Sequence, residues 1–232
     1  MSFFGLSPLE KEALSLSLWV SGWAVAGSLS PGIFLAWLLA RKTFPGKVIL
    51  DGLIHLPLVL PPVVTGYILL VLLGRKGYLG AWLYEALGVS FAFSWKGAAV
   101  ASAVIAFPLL VRAVRLSIEG VDQGLEAAAR TLGAGSVRVF FTITLPLSIP
   151  GILTGMILAF ARSLSEFGAT ITFVSNIPGE TRTLPLALYT LTQVPGGEEG
   201  AFRICVISIV LAMIALISSE ALSRRMAFRI RG

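Results

Sequence analysis

The sequence has few charged residues, a single cysteine and a single histidine. Only 13% of its 232 residues are charged, while 56% are hydrophobic and the mean hydropathy is +0.89. A soluble domain of this length could not bury so much apolar surface. The composition therefore predicts an integral membrane protein and excludes an ordinary soluble domain.

The scarcity of cysteine and histidine limits the chemistry open to the chain. Cys205 cannot form an internal disulfide, and His55 has no second histidine or nearby cysteine with which to hold a metal ion. No serine motif accompanies the histidine to form a nucleophile with its base, which argues against an intramembrane enzyme. We expect no metal site and no catalytic residue.

The chain also lacks a phosphate-binding loop of the form G-x-x-x-x-G-K-[ST]. Its glycines are not arranged to cradle a nucleotide, so we expect this chain to bind no ATP and no other cofactor itself. Membrane orientation and anionic lipid account for the net charge of +6, which therefore gives no reason to expect nucleic acid binding.

Five apolar segments are long enough to cross a bilayer, since a helix rises about 1.5 Å per residue and the hydrocarbon core is about 30 Å thick. They are residues 13–40, 48–73, 96–118, 145–172 and 204–223. Prolines inside the second, third and fourth segments predict kinked helices within a bundle. The first segment lacks a basic flank, so we expect no cleavable signal peptide. These features predict an all-α, five-span integral membrane bundle in one domain, residues 1–232.

The basic residues predict the orientation of this bundle. An odd number of spans places the termini on opposite sides, and cytoplasmic segments are enriched in lysine and arginine. With the C-terminus in the cytoplasm, eleven basic residues fall on the inner side and six on the outer side. We therefore expect the N-terminus outside and a loop at about residues 119–146 in the cytoplasm.

That loop has the pattern of a short capped helix. Asp122 is placed to accept from the free N–H groups one turn on, and Gly133 is suited to end the helix in a left-handed conformation. Residues 127–129 are alanines, which favour a slim helix, and Glu126 and Arg130 are spaced to pair on its surface. From the residues alone, a solvated amphipathic turn with a weak ion pair is the simpler explanation.

Beyond Ser136, apolar residues recur at helical spacing, which predicts a second short helix at the membrane surface. The whole run, residues 126–151 (EAAARTLGAGSVRVFFTITLPLSIPG), resembles the loop through which an ABC importer permease receives force from its ATPase. One departure is that Glu126 precedes Gly133 by seven residues, where six is commoner. The ATPase-coupling residues that this resemblance implies are Glu126, Ala128, Ala129, Arg130, Gly133, Ala134, Leu145 and Pro146.

Two further segments make this resemblance more specific. Residues 162–185 (RSLSEFGATITFVSNIPGETRTLP) and 55–70 (HLPLVLPPVVTGYILL) resemble the permease of molybdate importers, with sulfate permeases close behind. The resemblance implies a homodimer of the type I ABC importer kind in the prokaryotic plasma (inner) membrane. It also implies an ATPase dimer on the cytoplasmic face, which binds ATP and Mg, and a soluble oxyanion-binding protein outside.

Other functions stay open at this point. A permease for sulfate, tungstate or another oxyanion is the main alternative. A secondary transporter or channel is a weaker one, because it would not need the loop at residues 119–146 and usually has more spans or an evident repeat.

Charged and hydroxyl side chains in the fourth segment are candidates for a permeation path. A cation and hydrogen-bonding groups would lower the barrier to a doubly charged oxyanion, and ionisable residues at such depth are functional candidates. These candidates are Arg162, Ser165, Glu166, Thr170 and Thr172, with Ser163 beside them. Alternatively, Arg162 and Glu166 neutralise each other and hold two helices together.

A turn-rich segment follows on the predicted outer side. Asn176, Glu180 and Arg182 are its candidates for contact with a soluble binding protein. The alternative is that this segment is a simple connector.

Overall fold

The computed structural model describes the backbone of residues 5–231 and the side chains of residues 5–221. The described residues form helices and no β-strand, which confirms the all-α prediction. The helices are α1 (Pro8–Arg41), α2 (Lys47–Val59), α3 (Pro62–Leu73), α4 (Gly80–Leu87), α5 (Trp95–Glu119), α6 (Gln123–Thr131), α7 (Ser136–Val139), a π-helix (Phe140–Thr144), α8 (Leu145–Leu164), α9 (Gly168–Val174), α10 (Leu184–Thr192) and α11 (Glu198–Arg231).

Four helical stretches among the described residues are long and apolar enough to cross a membrane. They are Pro8–Arg41, Trp95–Glu119, Ser136–Leu164 and Glu198–Ala221. Helices α2 and α3 pass the same test only together, as a pair bent by 115°. The prediction of five spans is met when this bent pair counts as one.

The bend between α2 and α3 follows from two adjacent prolines. Pro61 and Pro62 carry no backbone N–H, so neither continues the hydrogen-bond ladder of α2. Helix α2 ends at Val59, with the Leu60 N–H donating to Leu56 O, and Pro62 occupies the first turn of α3, where a donor is not needed.

The predicted bounds of the fourth span are wrong at both ends. The helix begins at Ser136 rather than at residue 145, because α7, the π-helix and α8 run on without a break. The second short helix expected after Ser136 is therefore the start of this span. The span ends at Leu164, and α9 begins only at Gly168. Thr170 and Thr172 thus lie on a different helix from Arg162.

Helix α5 lies at the centre of the bundle, between α1 and α8. Small buried residues such as Ala98 and Ala101 let neighbouring helices approach it closely. On α8, a Cβ added at Gly155 would lie 3.1 Å from Leu110 Cδ1 and 3.2 Å from Ala113 Cβ. The glycines of α8 therefore serve its contact with α5.

Helices α3 and α9 pack in parallel, with their first residues side by side. A Cβ added at Gly168 would lie 2.8 Å from Pro62 Cβ, at the start of both helices. One turn further on, a Cβ added at Gly66 would lie 2.6 Å from the Ala169 carbonyl oxygen. Only glycine fits at these positions, because Gly66 lies against the backbone of Ala169 and Gly168 lies against the rigid ring of Pro62.

Gly66→Ala tests this contact. We expect the substitution to destabilise the fold by about 1–3 kcal/mol, because the added methyl group meets backbone atoms that cannot rotate away. Gly22→Ala in α1 is the matched control, since nothing lies within 4 Å of a Cβ at that position. Thermal unfolding in detergent measures both variants, and an unchanged melting temperature for Gly66→Ala would contradict the close contact.

Candidate functional site

Helix α6 has the caps that its sequence predicted. The Asp122 Oδ1 accepts from the Gly124 N–H at 2.8 Å, at the start of the helix. Gly133 adopts φ +85° just beyond the end, and the N–H of Ala134 donates to Ala129 O at 3.0 Å. This left-handed closure is favourable for glycine because it has no Cβ.

Glu126 lies inside the protein and not on a solvated helix surface. The residue is only 3% exposed. Its Oε1 accepts from Arg41 Nε at 3.0 Å and from Thr144 Oγ1 at 2.8 Å, while its Oε2 faces Arg130 Nη2 at 3.3 Å. The predicted pair with Arg130 therefore forms, but the expectation that it lies on the surface is wrong for the carboxylate.

The two arginines contribute differently to holding Glu126. The side chain of Arg41 is 9% exposed and that of Arg130 is 53% exposed. Breaking a buried ion pair costs about 3–5 kcal/mol, whereas an exposed pair four residues apart contributes about 0.3–0.5 kcal/mol. Arg41 is thus the main partner. The sequence gives no sign of this partnership, because no local pattern links residues 85 positions apart.

Several apolar residues of α6 and of its C-terminal end are exposed in the described part of the chain. Leu125 is 49% exposed and Leu132 is 88% exposed, and Ala127 and Ala128 between them are also exposed. We call the exposed set Leu125, Ala127, Ala128 and Leu132 the α6 face.

The remaining loop residues predicted to couple lie around this face. Ala129 and Ala134 are half-buried, Leu145 packs partly against the core, and Pro146 is exposed in the first turn of α8. A cleft of about 490 Å³ lies beside α6 and contains Arg41, Lys42 and Arg130 together with Glu126. The cleft therefore carries more positive than negative charge.

Arg162 and Glu166 form an ion pair across the break between α8 and α9. Arg162 Nη1 lies 2.9 Å from Glu166 Oε2. Glu166 is 2% exposed, and its Oε1 accepts from the Ala169 N–H at 2.8 Å, in the first turn of α9. This geometry supports the alternative in which the two charges neutralise each other while joining two helices.

The hydroxyls near this pair mostly bond to their own backbone. Ser165, Thr170 and Thr172 donate to the carbonyls of Arg162, Phe167 and Gly168 at 3.0, 2.8 and 2.9 Å. Among the described side chains, the buried hydroxyl of Ser163 has no hydrogen-bond partner. A role in a permeation path stays a prediction for Arg162, Ser165, Glu166, Thr170 and Thr172.

The candidate docking residues of the outer segment bond to each other and to nearby helices. Asn176 Nδ2 donates to Thr190 Oγ1 at 2.7 Å, and Arg182 Nε donates to Asn176 Oδ1 at 3.0 Å. Glu180 Oε1 accepts from the Trp95 N–H at 3.2 Å, at the start of α5. All three fix the shape of the segment, and their contact with a soluble protein stays a prediction.

Residues 32–228 match the protein family described as binding-protein-dependent transport system inner membrane component. The chain belongs to this family. It is accordingly a multi-pass transporter subunit and not an enzyme in its own right, and the family description places it in the inner membrane.

Similar proteins include permeases of molybdenum and sulfate transport systems. The chain is 67% identical over 219 residues to the molybdenum transport system permease protein ModB of Escherichia coli K12, covering 94% of this chain and 96% of that protein. It is 61% identical over 218 residues to ModB of Haemophilus influenzae, covering 94% and 95%. Identity is 35% over 197 residues, covering 84% and 70%, with the sulfate transport system permease protein CysW of Synechocystis.

Solved structures of ABC transporters share the fold of this family member. A bacterial transporter for the acidic polysaccharide alginate superposes with a TM-score of 0.73 at 18% identity, covering 94% of this chain and 80% of that one. An amino acid ABC transporter gives 0.66 at 22% identity, covering 94% of each. The predicted type I importer architecture is confirmed by these neighbours.

A double substitution separates the two roles of the Arg162–Glu166 pair in this permease. Glu166→Leu alone leaves a partly buried cation unpaired, and we expect it to destabilise the fold by about 3–5 kcal/mol. Arg162→Met with Glu166→Leu removes both charges, so most of that loss should be recovered.

Thermal unfolding measures the stability of both variants, and uptake by the assembled transporter measures their transport. Normal uptake by the double variant would show that the pair is structural. Recovered stability with uptake abolished would instead show that the charged pair itself is needed for transport.

Proposed function

We propose that this chain is the membrane-spanning permease subunit of an ATP-driven importer for molybdate. The observation that carries the proposal is identity over almost the full length. Relatives at 67% and 61% are both named molybdenum permeases, whereas a sulfate permease reaches 35%. A permease for sulfate, tungstate or another oxyanion is the second candidate.

The α6 face supports the proposed contact with an ATPase. A leucine that is 88% exposed at the tip of a cytoplasmic loop gains from burial against another protein, by about 2 kcal/mol for a full side chain. The alanines beside it give α6 the narrow profile that suits insertion into a groove. ATP and Mg are then held by that partner, with α6 on the cytoplasmic side and the N-terminus outside.

The exposed apolar faces of α2 and α3 support a second copy of the chain. Val48 is 84% exposed, Val59 is 82% exposed and Tyr67 is 61% exposed. Five spans do not readily enclose a solute path, so two copies related by a two-fold axis are the simplest assembly. The outer segments of both copies then form the surface for a soluble oxyanion-binding protein, with lipid around the dimer and no nucleic acid involved.

Transport in this proposal proceeds by alternating access. Closure of the ATPase on ATP displaces α6, and the displacement turns the cavity between the two copies outward to receive the anion. The path needs weak contacts only, because an anion that is bound tightly is not released. The paired state of Arg162 and the backbone-bonded hydroxyls suit such weak contact.

Reconstitution in liposomes tests the proposal. We expect uptake of radiolabelled molybdate only with the partner ATPase, the soluble oxyanion-binding protein outside and ATP inside, because α6 faces the cytoplasm. Excess sulfate should compete poorly. Uptake without ATP would favour a secondary transporter, and equal transport of sulfate would favour the second candidate.

Gly133→Val tests the role of α6 in coupling. Valine at φ +85° is strained, at a cost of about 1–3 kcal/mol, so the end of α6 should be displaced while the spans still insert. We expect uptake to fall about tenfold, with a smaller fall in ATP hydrolysis, since misplacing such a network weakens coupling by about 1–2 kcal/mol.

Gly135→Val is the control for this substitution. Gly135 has φ −68° and nothing lies within 4 Å of its Cβ position, so valine fits there. Undiminished uptake by Gly133→Val would count against α6 as the coupling helix.

A further inference from the structure

Arg41, the last residue of α1, is bonded to the start of α6 at two points. Its Nε donates to Glu126 Oε1 at 3.0 Å, and its Nη2 donates to the Val121 carbonyl at 2.9 Å. Val121 precedes Asp122, the cap of α6. Because a guanidinium group is planar and rigid, the two bonds fix both the distance and the angle between α1 and α6.

The same carboxylate oxygen of Glu126 holds a third helix. It accepts from Thr144 Oγ1 at 2.8 Å, and Thr144 is 1% exposed. Thr144 ends the π-helix, where the Leu145 N–H bonds to Phe140 O, one residue further back than in an α-helix. Arg41, Glu126 and Thr144 therefore meet at one buried point, which we call the α1–α6–α8 joint.

Helix α6 has little else to attach it to the bundle. Glu126 is the only buried residue among the nine residues of α6, all of which the structure describes. No apolar side chain of α6 is buried in a core, so hydrophobic contact does not hold the helix in place. The polar joint supplies its attachment.

We infer that Arg41 is a positioning residue for transport, and that the α1–α6–α8 joint carries displacements of α6 into two spans at once. This inference rests on the proposed coupling role of α6. Glu126 then serves coupling from inside the protein, while the α6 face contacts the ATPase. Without the joint, α6 still docks, but its displacement no longer reaches α1 and α8.

Arg41→Gln in the complete reconstituted transporter tests the inference. We expect uptake of molybdate to fall about tenfold while ATP hydrolysis by the same complexes falls less than about twofold, so that more ATP is consumed per anion. Arg41→Lys keeps the positive charge but loses the planar guanidinium group, so we expect an intermediate amount of ATP consumed per anion. Thr144→Val removes only the hydrogen bond from the Thr144 hydroxyl to Glu126, and it should also raise the amount of ATP consumed per anion.

Arg115→Gln is the matched control. Arg115 also bridges two helices near the inner side, with Nη1 3.1 Å from Asp51 Oδ2 and Nε 2.8 Å from Glu119 Oε1. It has no bond to α6, so its loss should leave the ratio of ATP to anion unchanged.

Several outcomes would overturn the inference. Uptake and hydrolysis that fall in proportion in Arg41→Gln would show a general folding role. If Arg41→Gln does not assemble, the ratios of Arg41→Lys and Thr144→Val decide, and wild-type ratios in both would reject the joint. Failure of the wild-type complex to take up molybdate would count against the proposed function instead, so the two failures are distinct.

Discussion

Within a bilayer a polar group must find its partner inside the protein, and this constraint explains where the buried carboxylates lie. Glu10 forms a capping box with Ser7 at the start of α1 and bonds to Arg203 of α11. Glu166 accepts from the first turn of α9 and pairs with Arg162. Each carboxylate satisfies a helix end and neutralises one arginine. These buried charges are therefore accounted for by contacts that hold the helices together.

The buried and exposed residues of α6 differ in chemical character. Its acidic residue, Glu126, faces inward, where Arg41 and Thr144 hold it, and its leucine and two of its alanines face outward. This is the reverse of an ordinary amphipathic surface helix, in which the apolar stripe faces the core. Leu125 and Leu132 are left exposed by this arrangement, which is the basis of the proposed contact with a partner protein. Within its own chain, α6 is attached through the bonds of Glu126 to Arg41 and Thr144.

Composition and local spacing predicted much of this fold, and the failures have identifiable causes. Asp122 and Gly133 bound α6 as expected because caps act within one turn. The sequence predicts two elements where the structure has one span starting at Ser136, because Pro146 inside a continuous helix and Pro146 at the start of a new helix give the same pattern. The burial of Glu126 escaped prediction because its chief partner is 85 residues away. Long-range partners of this kind leave no periodic trace.

The direct backbone contact between α3 and α9 limits how this permease changes shape. Side-chain layers normally let packed helices slide by changing rotamers, but Gly66 lies directly against the backbone of Ala169, and Gly168 lies against the rigid ring of Pro62. Sliding of α3 past α9 is therefore blocked, and a change of shape has to keep the two helices together as one rigid unit. The short breaks at residues 60–61 and 165–167, which precede these helices, are the places where the backbone can bend.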